Sequence, residues 1–134
     1  MLVDTNVLSE LARPTPNPNV LAWASDAVLP LSISVVTLEE LSYGLAWRPN
    51  PEIRAWFESF LSESCVVLPV TAVIASRAGD LRGTFRSDGQ QRTQADMLIA
   101  ATAQVHQLPL VTRNKRDFDG CGIPVVNPFD SAVG

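Results

Sequence analysis

The sequence predicts an α/β fold: a mostly parallel sheet with helices on both faces. Three observations carry that prediction. Short apolar or β-branched segments at residues 1–3, 31–36, 66–70, 108–112 and 124–126 alternate with stretches of helical period. The first segment is only Met1, Leu2 and Val3, too short to be half exposed, which puts it at the centre of the sheet. The stretch ADMLIAATAQVHQL, from residue 95, is apolar or small on nearly every side, as a helix buried against a sheet must be. With 134 residues the chain makes one domain, 1–134, with room for a single core. There is no repeat, low-complexity segment or linker.

In chain order, residues 5–11 form a short helix whose apolar positions are Val7, Leu8 and Leu11, and RPTPNP at 13–18 is a proline-punctuated turn. Asn19 caps a helix over 20–26. Residues 31–36, LSISVV, alternate and then run β-branched, giving a second strand. Thr37 opens a helix over 38–47, with Leu38, Leu41 and Leu45 on one face, and Pro49 and Pro51 end it. Ile53, Trp56, Phe57, Phe60 and Leu61 then follow the spacing of an amphipathic helix. Pro69 cannot donate to a ladder, so 66–70 is an edge strand. Residues 71–86 are helical with Ile74, Ala78, Leu81 and Phe85 inward. On that helix Arg82 and Arg86 share a face, and Gly79 and Gly83 mark close packing. A polar loop at 87–92 leads to the helix begun by Thr93. The strand LPLVT at 108–112, a helical turn at 113–118 and a last strand at 124–126 complete the chain.

Composition narrows the functional classes. No apolar run approaches the ~18 residues that span a bilayer, and no signal peptide is visible, so a cytoplasmic protein without membrane contact is expected. Cys65 and Cys121 are scattered and form no metal or redox motif; both read as reduced core thiols. The net charge of −4 disfavours a nucleic-acid partner, but its distribution does the opposite. Seven of the ten basic residues fall between Arg77 and Arg116, a stretch holding only Asp80, Asp88 and Asp96 as acids. Such a stretch can steer a phosphate backbone, although solvated helix faces explain it equally.

A parallel sheet gathers the carboxyl ends of its strands along one edge, where open α/β sheets bind ligands. Asp4 closes the first strand. Glu40 lies in the first turn after the second. Asp96 lies in the first turn of the helix before LPLVT, and Asp117 lies just past that strand. Four carboxylates aimed at one cleft repel, and a hard divalent cation, Mg²⁺ or Mn²⁺, relieves them. Zinc would want His or Cys, of which the chain has one and two. A divalent ion activates water and neutralises phosphoryl charge, which is phosphodiester-hydrolysis chemistry. Each acid also has a purely structural explanation. Asp4 can be an N-cap, Thr37 with Glu40 and Thr93 with Asp96 match capping boxes, and Asp117 can be a turn residue before a buried Phe118. Glu10 and Glu39 read as solvated surface, with a place near the cleft as the alternative for Glu10, and His106 as a surface residue favoured by a helix C-terminus.

Taken together, MLVDTN, SVVTLEELSYG, ADMLIAATA and TRNKRDF…VVNPF, in this order and spacing, resemble the PIN domain of VapC-type toxins, FitB-like members included. The resemblance spans nearly the whole chain. It implies a Rossmann-like α/β/α sandwich and a Mg²⁺- or Mn²⁺-dependent endoribonuclease, which cleaves structured RNA such as tRNA or rRNA and leaves a 5′-phosphate and a 3′-hydroxyl. By position, Asp4, Glu40 and Asp96 match the metal-site acids. Asp117 stands as the fourth catalytic acid, since Asn114 occupies a place where some members carry Asp. Thr5, Asn6, Thr112 and Asn114 become groups that orient carboxylates or water, and Arg82, Arg86, Arg92, Arg113 and Arg116 become contacts to the RNA backbone. The resemblance also implies a homodimer held by a VapB-like antitoxin. Part of the aromatic set Tyr43, Trp47, Trp56, Phe57 and Phe60 is expected to form the antitoxin groove. The alternative is a catalytically impaired RNA- or protein-binding module, suggested by the uncharged Asn114.

Overall fold

Each strand of the sheet carries side chains to two opposite layers, and the burial pattern follows that period of two. A computed structural model of the chain describes residues 1–130; the last four positions of the expected 1–134 domain lie outside them. The elements, in order, are β1 (Leu2–Val3), α1 (Thr5–Leu11), α2 (Pro18–Asp26), β2 (Leu31–Ser34), α3 (Val35–Trp47), α4 (Pro51–Glu63), β3 (Cys65–Leu68), α5 (Ala72–Ser87), α6 (Gln94–His106), β4 (Leu110–Val111), a 3-10 turn (Lys115–Phe118) and β5 (Val125–Val126). The five strands are all parallel, in the order β3-β2-β1-β4-β5. β1 is central and β3 is an edge, as the sequence predicts.

Leu2 and Leu110 pack into a core shared with Ile74, Ala78, Met97, Ile99 and Phe118, the layer of α5 and α6. Their neighbours Val3 and Val111 turn the other way, toward Val7, Leu8, Val20, Leu41 and Phe57, the layer of α1 to α4. The result is an α/β/α sandwich. Fully burying a side chain of this size contributes roughly 1.5–3 kcal/mol, and both β1 residues are completely enclosed. That fixes the register of β1, and with it the position of the residue that follows.

Four local readings are corrected. α2 starts two residues earlier than expected, because Asn17 caps it by accepting from Asn19 and Val20 N–H, with Pro18 at its first position. α3 starts at Val35: Ser34 Oγ accepts from Val36 N–H at 3.0 Å, so Thr37 is no cap but a fully buried helical residue. Glu10 is buried, 8% exposed, because its carboxylate ties off the turn after α1. It accepts from Arg13 at 3.2 Å and from Asn17 N–H at 2.9 Å. Gly79 and Gly83 pack against nothing: both are exposed, and a Cβ on either would meet no atom within 4 Å. His106 and Glu39 are exposed, as expected, and both cysteines are free thiols.

Candidate active site

β1 and β4 are neighbours in the sheet, yet the chain leaves them in opposite directions: β2 and β3 build outward from β1, and β5 builds outward from β4. The crevice at their carboxyl ends is therefore the topological switch point, where ligands of open α/β sheets bind. Asp4 follows β1 and Thr112 follows β4, so the two residues face each other across it.

Asp4 is 5% exposed. Its Oδ1 accepts from Thr5 N–H at 2.8 Å, so it does cap α1. Its Oδ2 accepts from the Thr112 hydroxyl at 2.8 Å and from Asn6 Nδ2 at 3.2 Å. Thr112 has spent its one hydrogen on Asp4, and its oxygen then accepts from Asn6 Nδ2 at 3.3 Å and Asn114 N–H at 3.1 Å. Asn6 Oδ1 accepts from Arg113 N–H at 3.0 Å, which settles which way its amide points. Thr112, Asn6 and the Asn114 backbone thus form one frame around a single carboxylate. Capping and site geometry coexist here.

Glu40 sits in the second turn of α3, because the helix begins earlier than the sequence suggests. Its Oε1 accepts from the Thr5 hydroxyl at 2.7 Å. With its hydrogen given to Glu40, Thr5 Oγ1 can only accept from Thr37 Oγ1, at 3.3 Å. Thr37, wrongly expected at the helix cap, is therefore part of the frame. A β-branched hydroxyl in the first turn after Ser34, which ends β2, was the only signal for it. Asp96 lies in the first turn of α6, where Thr93 caps the helix by accepting from Asp96 N–H at 3.1 Å. Asp117 is exposed in the 3-10 turn.

The four acids form a series in space. Burial raises the Asp4 carboxyl above its ordinary value, hydrogen bonds from Thr112 and Thr5 pull it back, and the charge of Glu40 pushes it further up. Burial also raises Asp96; the Thr93 hydroxyl lowers it, the charges of Asp4 and Asp117 raise it again, and the more weakly felt charge of Arg92 offsets part of that rise. Among the described residues the one ion pair is Arg13 with Glu10, so none of the four carboxylates has a cationic side chain bonded to it. Nor do any three His, Cys, Asp or Glu side chains among them stand close enough to hold an ion as a closed cage. Mg²⁺ does not ask for one: it keeps several waters and takes one or two protein carboxylates. Asp4 and Asp96, oxygen donors that repel each other, suit such an ion.

The five arginines separate. Arg82 and Arg86 stand exposed beside Gln91, Arg92, Thr93 and Gln94 around a recess of about 560 Å³ next to the start of α6. Arg92 is half-buried and spent inside the protein. It donates to Asp117 O at 2.6 Å, to Asp119 O at 2.9 Å and to Gln90 Oε1 at 3.0 Å, and lies 4.1 Å over the Phe85 ring. Arg113 lies 4.6 Å over the Phe129 ring with its side chain exposed, and Arg116 is exposed. A larger recess, about 800 Å³, follows the outer side of α5 and holds none of the four acids. Of the aromatic set, Phe57 is core and Trp56 and Phe60 pack half-buried against it. Tyr43 and Trp47 stay exposed at 64% and 65%, their rings stacked at 6.4 Å. No helix among the described residues is long and apolar enough to cross a membrane.

Comparison with known proteins shows the family and agrees with the fold. Residues 1–121 match the PIN domain. The chain is 32% identical to the VapC ribonuclease Y4jK of Sinorhizobium fredii, over 98% of this chain and 99% of the relative. It superposes on the crystal structure of FitAcB from Neisseria gonorrhoeae with a TM-score of 0.83 at 32% identity, covering 97% of this chain and 99% of that one. It also superposes on a toxin-antitoxin complex from Klebsiella pneumoniae with a TM-score of 0.76 at 26% identity, covering 97% and 98%.

Proposed function

The chain belongs to the PIN-domain family, and we propose that it is a divalent-metal-dependent endoribonuclease, the toxin of a toxin–antitoxin pair. The observation that carries this reading is the Asp4–Asp96 pair at the sheet's switch point, both raised by burial and by neighbouring carboxylates, with no cationic side chain within ion-pair distance of either. Asp4 and Asp96 would hold Mg²⁺ or Mn²⁺. The bound ion supplies charge neutralisation at the phosphoryl group and a lowered pKa for water.

The protein's own residues do the rest. Thr112 and Asn6 fill Oδ2 and hold Asp4 in one orientation, and beside the bond from Thr5 N–H its Oδ1 keeps one lone pair free for an ion. Thr5 occupies Oε1 of Glu40 and leaves Oε2 to orient, and accept a proton from, the attacking water. Asp117 closes the outer side, and the exposed arginines offer contacts to the RNA backbone. Single-stranded loops of structured RNA, such as tRNA or rRNA, suit an open cleft at a sheet edge, because their bases are already unstacked. The partner is a VapB-like antitoxin, and the exposed Tyr43–Trp47 pair is the aromatic surface available to it. A homodimer of 1–134 domains follows from the resemblance.

The test is cleavage of total RNA by purified, antitoxin-free protein with Mg²⁺ or Mn²⁺ and with EDTA, beside Asp96→Asn. Discrete fragments that need the ion and vanish in the variant are expected. Folded protein that cleaves nothing in any condition would leave the impaired binding module as the reading.

A further inference from the structure

Arg82 and Arg86 are one helical turn apart on α5 and open into the same recess as Thr93 and Gln94, the cap and first residue of α6. Gln94 is two positions from Asp96. Among the described residues neither arginine has a carboxylate within ion-pair distance. Two unpaired guanidinium groups so close repel each other, and an anion held between them removes that repulsion while accepting planar, forked hydrogen bonds. The third arginine of the recess is of a different kind. Arg92 has three N–H groups committed to Asp117 O, Asp119 O and Gln90 Oε1, and its face is covered by Phe85. It lines the recess with those groups already committed and leaves the two α5 side chains to meet the ligand.

We propose that this recess is a phosphate subsite. It holds a backbone phosphate of the RNA strand next to the scissile one, gripped by Arg82 and Arg86, with Arg92 as a structural brace that makes no phosphate contact. The inference rests on the ribonuclease reading and extends it: the strand leaves the carboxylates across the first turn of α6 toward α5. It also divides the basic stretch into residues that bind and one that braces.

Binding of fluorescein-labelled poly(U) RNA, with EDTA present to prevent cleavage, is measured across a salt series for the wild type, Arg82→Gln/Arg86→Gln and Arg92→Gln. Each phosphate contact contributes about 0.7 to the slope of log affinity against log salt on single strands, so the double variant, which gives up the one phosphate held here, should lose about 0.7 of that slope. Arg92→Gln should keep the wild-type slope while its melting temperature falls. In metal-supported cleavage the double variant should raise KM and leave kcat and the cleavage position unchanged. An unchanged slope and affinity in the double variant, or a slope lost in Arg92→Gln, would overturn the subsite while leaving a cleaving wild type, and so the nuclease reading, intact. A wild type that neither binds nor cleaves RNA removes both.

Discussion

Asp4 and Asp117 are both acids just beyond the end of a central strand, yet they are held in opposite ways. Asp4 is enclosed, and its carboxylate takes three hydrogen bonds from Thr5, Thr112 and Asn6. Asp117 is exposed, and what is fixed is its backbone: its carbonyl is gripped by Arg92, from the loop between two other helices. One carboxylate is positioned by the sheet itself; the other stands exposed on a backbone held by a single guanidinium from the loop between α5 and α6. A buried charge must be fully bonded to be tolerated, and that bonding also sets its direction. The exposed one can adjust to whatever approaches.

This contrast can be broken or sharpened experimentally. The largest effect is expected for Asp4→Asn: metal-dependent cleavage should drop about a hundredfold or more, as when a preorganised electrostatic group is lost. Asp117→Asn should cost far less. Equal losses in the two variants would mean that enclosure does not separate their roles. Next comes Thr112→Val, which strips Asp4 Oδ2 of its shortest partner and leaves Asn114 N–H without its acceptor. Loss of such an orienting group typically lowers metal affinity or activity about 10–100-fold, and titration calorimetry with Mn²⁺ would read it directly.

The smallest effect is on metal-free stability. Asp4 and Asp96 have raised pKa values in the folded protein. Between the unfolded and folded values the native state binds more protons than the unfolded one. Stability in EDTA should therefore fall as pH rises from the ordinary Asp value through the raised ones, and stay reduced above them. Asp96→Asn should flatten that decline and raise the melting temperature at neutral pH without metal, and saturating Mg²⁺ should offset the decline in the wild type. A wild-type stability in EDTA that climbs over this range would contradict the repulsion argument.

Much of this arrangement was legible in the chain. An apolar triplet had to be central, and an alanine-rich helix without a polar face had to be buried; together they placed Asp4 and Asp96. The orienting roles of Thr5, Asn6 and Thr112 came with the family resemblance; in the structure these side chains hydrogen-bond Glu40 and Asp4. What misled was local chemistry with two solutions. Ser34 and Thr37 are both good caps, and sheet register rather than cap preference decided for Ser34, moving Glu40 one turn into its helix. Glu10 looks like surface because an acid rarely lies inside; two hydrogen bonds from one turn reverse that. Arg92 has the same charge as Arg82 and Arg86, and only a nearby ring and two turned-in carbonyls make it a brace. Gly79 and Gly83 have the spacing of a packed helix pair on a helix face that meets solvent.

The bond from Thr112 to Asp4 joins residues 108 positions apart. A chain emerging from the ribosome at about 5–20 residues per second makes its first strand several seconds before the residue that orients the adjoining carboxylate. Contacts of such separation are among the slowest to form, because most of the loop entropy must be surrendered first. No nascent fragment ending before β4 contains both sides of the crevice. The order in which the polypeptide is made therefore delays the cutting centre until nearly all of its own sequence has been translated.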